Sequence, residues 1–267
     1  KWIGCADRRP PAPVGWRMKR IEIIGLEGMG EVRAGDCVGE LICAACARQG
    51  IGLADRDVLV VAQKIVSKAE GRLVNLSDVR PSARADELGR ELDKDPALVE
   101  VILGESRRIV RKGGRALIVE THHGFVSANA GVDCSNVGVG QAVLLPKDAD
   151  ASARTIRAEI RQRSGKAPAV IISDSFGRPW RLGTVDVAVG IAGMKAIKDE
   201  RGTKDGYGYE LRAAVTAIAD EIAAAAELVM GKKDGVPVVI VRGCQTEKKE
   251  EGSVKELLRP ATEDLFR

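Results

Sequence analysis

Aromatic residues are scarce in this chain, because Phe, Trp and Tyr together make up 3% of its 267 residues. We therefore expect a core built mostly from Val, Ile, Leu and Ala. The scarcity also argues against a nucleic-acid binder, since proteins that hold single strands stack the bases on aromatic rings. The net charge of +4 is small for this length and is compatible with an acidic small molecule as ligand.

Long apolar runs are also missing. No run reaches the roughly 20 uncharged apolar residues that a membrane-spanning helix needs, and the best candidate, residues 213–230, carries three acidic side chains. The opening residues contain no apolar segment of the secretory type. We therefore expect a cytoplasmic protein. Residues 1–17 are expected to be a leader, disordered or non-native, ahead of Met18.

The six cysteines and two histidines do not form a recognisable framework. Cys43 and Cys46 make a single CxxC, and His122 and His123 are adjacent to each other. A redox pair or half a zinc site would use the CxxC spacing. However, both cysteines lie on one face of a predicted helix, where small buried cysteines are common, so we interpret them as structural. Of two adjacent histidines on a strand, at most one can face a site.

Hydrophobic periodicity predicts a mixed arrangement of strands and helices. Strands are predicted at 20–26, 57–67, 115–136, 168–174 and 236–243, and helices at 36–50, 80–110 (two helices broken near Pro96), 151–165 and 209–231. Asp36 is the predicted N-cap of the first helix and Gly50 its terminator. Because strict βαβ alternation is absent, we expect an α+β fold with mixed sheets and flanking helices. We assign residues 18–267 to one domain, with 80–112 as a helical sub-lobe.

Polar residues gather where predicted strands end, at 129–136, at Asp174 and Ser175, and at 230–236. Loops at strand ends expose polar groups on a rigid scaffold, and ligands favour such places. Asp133 and Asp174 are the pair of greatest interest, since Mg²⁺ is commonly held by one or two carboxylates together with phosphate oxygens. The structural alternative is that each Asp caps a turn or a helix.

Phosphate binding would have to occur without a familiar loop. No GxxxxGK[ST] motif is present, and the glycines of 25–32 fall short of GxGxxG because Arg33 stands at the last position. Lys64 and Lys68 follow a predicted strand and could neutralise phosphate, or could be solvated surface. Arg178 and Arg181 bracket Trp180; their guanidinium groups could hold a carboxylate or phosphate, or their stems could pack on the ring at an interface.

Five stretches, taken together and in order, resemble the coenzyme F420-0:L-glutamate ligase family, also called gamma-glutamyl ligases. They are SKAEGR (67–72), NAGVDCSN (129–136), ISDSFGRPWRLGTVDVAVGIAGM (172–194), KDGYGYEL (204–211) and ADEIAAAAELVMGK (219–232). The resemblance extends from about Lys19 to Arg267. It implies two lobes around a central groove and a homodimer.

The resemblance also implies an activity. Enzymes of this family use GTP and a divalent metal, Mg²⁺ or Mn²⁺, to join L-glutamate to coenzyme F420-0 and to extend the gamma-linked glutamyl tail. We expect an acyl-phosphate intermediate, one or two divalent ions, and help from K⁺. Two alternatives stay open: a related metal- and nucleotide-dependent ligase with another acidic acceptor, and a non-catalytic nucleotide-binding homologue.

Residue roles follow from the resemblance position by position. Asp133, Asp174 and Ser175 are expected metal ligands, with Ser175 contacting the second ion, and Asp133, Asp174 and Lys68 are expected to be catalytic. Arg178 and Arg181 are expected to bind the acidic substrate. The expected nucleotide-binding residues are Met29, Gly30, Glu31, Val32, Gln63, Lys64, Lys68, Asn136, Met230, Gly231, Lys232, Lys233, Asp234, Gly235 and Val236.

The chain departs from the family pattern at two places in the expected site. Gln63-Lys64 stands where some relatives carry Ser-Thr, and Lys232 stands where they carry an acidic residue. These departures leave the second metal site and the preference for guanine open. The ending RPATEDLFR resembles the join to a flavin-reductase-like domain in bacterial relatives, and whether such a domain follows also stays open.

Overall fold

The computed structural model describes residues 19–264 and confirms the α+β class. The strands are Glu22–Leu26 (β1), Val58–Ala62 (β2), Leu73–Asn75 (β3), Ser106–Gly113 (β4), Ala116–Thr121 (β5), Val126–Ala128 (β6), Gln141–Val143 (β7), Ala169–Arg178 (β8), Arg181–Met194 (β9), Lys198–Asp199 (β10), Val215–Thr216 (β11), Val238–Arg242 (β12) and Lys248–Lys249 (β13). The helices are Val38–Arg48 (α1), Gln63–Ala69 (α2), Ala83–Leu92 (α3), Pro96–Gly104 (α4), Ala149–Ser164 (α5) and Ile218–Met230 (α6). The expected leader at 1–17 lies outside the described residues.

The main sheet has six strands in the order β1-β12-β2-β8-β9-β13. The β2–β8 pair is parallel, and the other neighbours are antiparallel. The apolar runs of β2, β8 and β12 are buried, as expected of strands covered on both faces. Helices α5 and α6 pack against this sheet. Because β2 and β8 run in the same direction, the carboxyl end of β2 lies beside the middle of β8, with Ala62 opposite Ser173.

Buried apolar side chains form two clusters. The larger surrounds the main sheet with α1, α5 and α6. The smaller joins α3 and α4 to β5 and to residues 130–132. No helix within residues 19–264 has the length and apolarity needed to cross a membrane.

The helical prediction for 80–110 is confirmed in its first part and wrong in its last. Pro96 is the first residue of α4, and the chain breaks before it at Asp93, whose φ is +51°. Ser106–Gly113, however, forms β4, which pairs antiparallel with β5. This segment contains Ile109 and Val110, whose branched side chains favour a pleated strand over a helix.

The strand predicted at 57–67 ends at Ala62, and α2 begins at the next residue. The hydroxyl of Ser67 donates to Gln63 Oε1 at 2.9 Å, a bond between side chains one helical turn apart. Three further boundaries differ from prediction. The N-cap of α1 is Cys37, because the Asp36 carboxylate instead accepts from the backbone N–H of Arg33 at 2.7 Å.

The helix predicted at 209–231 begins only at Ile218. The residues before it form a hairpin-like excursion in which Leu211 N–H donates to the Thr203 carbonyl and Gly202 N–H donates to the Leu211 carbonyl, both at 2.8 Å. Backbone groups used in this way cannot also serve a helix. The apolar strand predicted to end at Asp174 also continues, since β8 pairs with β9 as far as Arg178.

Gly190 in β9 is expected to tolerate no side chain. A β-carbon at this position would lie 2.3 Å from the Ala149 carbonyl oxygen at the start of α5. The clash would be between main-chain segments of β9 and α5, which are packed together and cannot move aside as a flexible side chain can. Gly190→Ala should therefore lower the free energy of unfolding by about 2–3 kcal/mol. Urea denaturation measures the change. Gly177→Ala in β8, where an added β-carbon meets nothing within 4 Å, is the matched control, and equal losses in the two variants would contradict the prediction.

Candidate functional site

A β-bulge lies where β8 changes from apolar to polar. Ile172 pairs with Gly190, but Ser173 pairs with Ala188, so β9 contains one extra residue, Val189, at this point. Bulges redirect side chains and are frequent beside active sites. Here the bulge immediately precedes Asp174, and the parallel neighbour β2 delivers the first turn of α2 to the same edge of the sheet.

Asp174 is the electrostatic centre of this edge. The pKa of its carboxyl is raised from 3.8 to about 7, chiefly by burial and in smaller part by the negative charges of Asp186 and Asp133. A hydrogen bond from the Ser175 backbone N–H and the positive charge of Lys64 act in the opposite direction. Asp133 and Asp174, which are distant in sequence, therefore lie close enough for the charge of one to act on the other.

Asp133 is held by Lys64 and Ser135. Lys64 Nζ lies 2.7 Å from Asp133 Oδ2 and donates to Ser135 Oγ at 2.6 Å. The backbone N–H and the hydroxyl of Ser135 donate to the same carboxylate at 2.8 and 2.9 Å. Burial tends to raise the pKa of Asp133, but the bonds from Lys64 and Ser135 outweigh it and leave the pKa below its ordinary value. Asp133 is therefore ionised and already paired.

Asp186 in β9 is a third carboxylate that the sequence analysis missed. Its side chain is buried, and it accepts hydrogen bonds from Ser173 Oγ at 3.0 Å and Ser175 Oγ at 2.6 Å. In the sheet Asp186 lies opposite Ser175. The available signal was a single acidic residue inside an otherwise apolar strand, since a charged group in a buried strand needs a specific partner.

The loop after α6 brings Lys232 to this third carboxylate. Lys232 Nζ donates to Ser175 Oγ and lies 3.5 Å from Asp186 Oδ1 and 3.4 Å from Glu227 Oε1. The Lys232 carbonyl also accepts from Asn136 Nδ2 at 3.4 Å. The loop thus touches both the 133–136 segment and β8.

The predicted nucleotide-binding residues of the first loop meet α2. Glu31 Oε1 lies 2.6 Å from Lys68 Nζ, whereas the side chains of Met29 and Val32 are buried in the larger core. Lys68 is one turn beyond Lys64, so both ammonium groups lie on one face of α2. Gln63 is 1% exposed, and its Nε2 has no hydrogen-bond partner in the described part of the chain. Two ion pairs, Glu31–Lys68 and Lys64–Asp133, therefore lie on successive turns of α2.

Arg178 and Arg181 lie at the tip of the β8–β9 hairpin. Asp174 and Asp186 lie further from the turn along the same two strands. Arg178 donates to the Leu182 carbonyl at 2.9 Å, and its buried Nε has no partner among residues 19–264. Trp180, between the two arginines, is 80% exposed and has a φ of +59°. No bond in the described residues joins either guanidinium to Asp133, Asp174 or Asp186.

The histidines lie in the turn between β5 and β6 rather than on a strand. Nε2 of His122 donates to the Gly104 carbonyl at 3.1 Å, and Nε2 of His123 donates to the Pro146 carbonyl at 2.9 Å. Cys43 and Cys46 lie in α1, and the five cysteines in the described part are all free. Burial raises the pKa of the Cys46 thiol to about 11, which makes it unreactive at neutral pH.

The donor groups suit one hard divalent ion at Asp133 and Asp174. Oxygen ligands are what Mg²⁺ and Mn²⁺ prefer, and the raised pKa of Asp174 marks a place where added positive charge is favourable. Within residues 19–264, no group of three or more His, Cys, Asp or Glu side chains is arranged to hold a metal. Two carboxylates are nevertheless enough when substrate phosphates and water complete the shell. A second ion at Ser175 does not fit, because the Lys232 ammonium lies on that hydroxyl.

Comparison with known proteins defines first the class and then the family. A model of the family described as F420-0:Gamma-glutamyl ligase matches residues 28–243, so the class is that of ligases. The coenzyme F420:L-glutamate ligase of Methanothermobacter thermautotrophicus is 49% identical over 249 residues, covering 92% of this chain and 99% of that protein. The proteins of the same name from Methanocaldococcus jannaschii and Methanopyrus kandleri are 43% and 44% identical over 252 residues, covering 93% of this chain and 98% and 97% of theirs. The chain belongs to the F420-0:Gamma-glutamyl ligase family.

Proposed function

We propose that this protein joins L-glutamate to coenzyme F420-0 and extends the gamma-linked glutamyl tail, using GTP and an acyl-phosphate intermediate. The relatives with 43–49% identity are named for ligation of coenzyme F420 and L-glutamate. The observation that carries the proposal is the proximity of Asp133 and Asp174 beside Lys64, where β2 ends next to β8. This arrangement supplies both signs of charge that a metal–nucleotide complex requires.

The reaction needs an activated carboxylate, because a free carboxylate is a poor electrophile. An acceptor carboxylate oxygen attacks the γ-phosphorus of GTP, the bond to the bridging oxygen breaks, and GDP leaves with the electron pair. The glutamate amine then attacks the carbonyl carbon, inorganic phosphate leaves, and a proton is released. No covalent intermediate on the enzyme is required.

Each polar side chain of the site has a part in this scheme. Asp133 and Asp174 hold the divalent ion, which when bound supplies positive charge to the phosphate oxygens. Lys64 and Lys68 lie one turn apart on α2 and offset charge on the phosphates, as compact cations can. Both are paired with carboxylates in this structure, so nucleotide binding exchanges these partners.

The remaining roles extend from the same family relationship. We propose that Met29–Val32, Gln63, Asn136 and the 230–236 loop surround the nucleotide, and that Arg178 and Arg181 anchor acidic groups of the acceptor. The orphan Nε2 of Gln63 supports this, since a buried donor without a partner is ready to bind a ligand. We further propose a homodimer and stimulation by K⁺.

The test is a reconstitution with defined components. Protein, GTP, Mn²⁺, L-glutamate and F420-0 should yield GDP and a product heavier by one glutamyl residue in mass spectrometry. Acceptor labelled with ¹⁸O in its carboxylate should transfer label to inorganic phosphate if an acyl phosphate forms. Product without label transfer would contradict the intermediate alone.

The alternatives give different results in the same experiment. GDP release with another acidic acceptor but not with F420-0 would favour a related ligase. Calorimetric binding of GTP with no phosphate release under any condition would favour a non-catalytic homologue. Either result would overturn the proposed activity.

A further inference from the structure

Lys232 lies between two carboxylates, Asp186 and Glu227, whose negative charges favour a cation at this position. Its ammonium donates to Ser175 Oγ and faces Asp186 Oδ1 at 3.5 Å and Glu227 Oε1 at 3.4 Å. These three oxygen-bearing side chains come from β8, β9 and α6, and we refer to them as the 175–186–227 pocket. Asp186 is buried, so its charge cannot be satisfied by solvent alone.

The side chains of the pocket offer Lys232 oxygens that can accept from its ammonium group. The hydroxyl of Ser175 donates its hydrogen to Asp186 at 2.6 Å, so its oxygen is left as an acceptor, which Lys232 uses. An ammonium group has three donors and no acceptor, so it complements three oxygens but cannot ligate a metal. Asp186 thus organises the pocket, and Lys232 fills it.

The backbone holds Lys232 in place from the other side. Gly231 has a φ of +58°, and a β-carbon there would lie 2.2 Å from Asp234 Oδ2, so only glycine suits this path of the loop. Asn136 Nδ2 reaches the Lys232 carbonyl at 3.4 Å. The main chain of Lys232 is therefore tied to the segment that carries Asp133 while its side chain is tied to the segment that carries Asp174.

A divalent ion and this ammonium cannot share the pocket. Mg²⁺ binds oxygens at about 2.0–2.1 Å, so an ion on Ser175 would have to displace the Lys232 ammonium from three oxygen-bearing side chains. An ion at Asp133 requires only that Lys64 transfer to the nucleotide phosphates. Two cations so close would also repel strongly at a partly buried site. The residues present therefore disagree with a second ion at Ser175.

We propose that Lys232 is a built-in cation of the 175–186–227 pocket, so that this protein takes one divalent ion, at Asp133 and Asp174, rather than two. The proposal rests on the proposed function for the first ion only. It assigns Lys232 to the positioning of Ser175 and Asp186 and to local charge balance.

The experiment counts bound Mn²⁺ in the intact protein saturated with GDP, whose phosphates take Lys64 away from Asp133 and complete the shell of the first ion. Titration calorimetry and electron paramagnetic resonance are applied to the wild type, Lys232→Met, Lys232→Glu and the control Lys233→Met, which removes the same charge from the next position of the loop. We expect one Mn²⁺ in the wild type and in Lys233→Met. Lys232→Met and Lys232→Glu should bind two, with spin coupling between neighbouring ions.

Each outcome separates the possibilities. Two ions in the wild type would overturn the inference, as would one ion in all four proteins. If the ligase reaction proceeds in either case, the proposed function is unaffected. No bound Mn²⁺ in any of the proteins would overturn the first metal site and this inference together.

Discussion

Replacing Asp174 by Asn is expected to lower ligase turnover about 1,000-fold or more while the fold stays intact, because several kcal/mol of charge stabilisation are lost with one metal ligand. The side chains have nearly the same shape, and the Asn oxygen can still accept from the Ser175 backbone N–H, as Asp174 does. Steady-state GDP release, with F420-0 and glutamate present, measures the change. Near-normal turnover in the variant would remove Asp174 from the site.

The same substitution should stabilise the metal-free protein at alkaline pH. The pKa of Asp174 is about 7 in the folded protein against an ordinary 3.8, so between these values the folded state keeps a proton that the unfolded chain releases. Stability contributed by this group therefore falls as pH rises through this window. The full gap corresponds to about 4 kcal/mol, which Asn does not lose.

Urea unfolding with a chelator present, at about pH 5 and about pH 8, tests this sign. The advantage of Asp174→Asn should be larger at the higher pH, and an advantage that shrinks with pH would contradict the raised pKa of Asp174.

Asp220→Asn is the control for the turnover experiment. Asp220 is another half-buried carboxyl whose pKa burial raises, but it accepts from the Ala188 backbone N–H in α6–β9 packing and lies outside the charged cluster. Its turnover should be close to that of the wild type.

The main sheet can be predicted from apolar runs because β2, β8 and β12 are covered on both faces and their buried parts therefore contain few polar residues. Asp174 can be singled out for the same reason, since a carboxylate directly after such a run must be either a cap or a ligand site. Asp133 instead follows the short 3-10 turn Asn129–Gly131, and only the polar residues around it draw attention to it. The proximity of the two carboxylates cannot be read from spacing, since it depends on the parallel pairing of β2 with β8 and on the bulge at Ser173.

Other features depend on tertiary contacts that leave no local pattern. The switch from strand to helix at Gln63 occurs within residues 57–67, which were predicted as one strand, and it decides that Lys64 and Lys68 share a face. In the sequence Asp186 is a single charged residue within a long strand. Its role in the site becomes evident only from its contacts with Ser173, Ser175 and Lys232 in the fold. Helix α6 is shorter than predicted because backbone groups within 202–211 pair with one another, although the residues that follow have a composition typical of a helix.

The stability that an arginine–aspartate pair contributes to this fold should depend on the burial of the pair rather than on its hydrogen-bond geometry. Arg242, the last residue of β12, donates from Nε and Nη2 to the two oxygens of Asp57 at 2.8 Å each, and the Asp57 side chain is 1% exposed. Arg201 forms a similar fork with Asp199, but this pair is exposed. Asp57 directly precedes β2 and so supports the strand that leads to Lys64.

Arg242→Met should therefore lower the free energy of unfolding by about 3 kcal/mol, because it leaves a buried carboxylate without its charged partner. Arg201→Met should leave stability close to that of the wild type, since water replaces the lost partner of an exposed group. Urea denaturation of both variants at neutral pH provides the comparison. Equal losses would mean that fork geometry matters more than burial, and a loss confined to Arg242→Met would show that the lowered pKa of exposed Asp199 carries little stability.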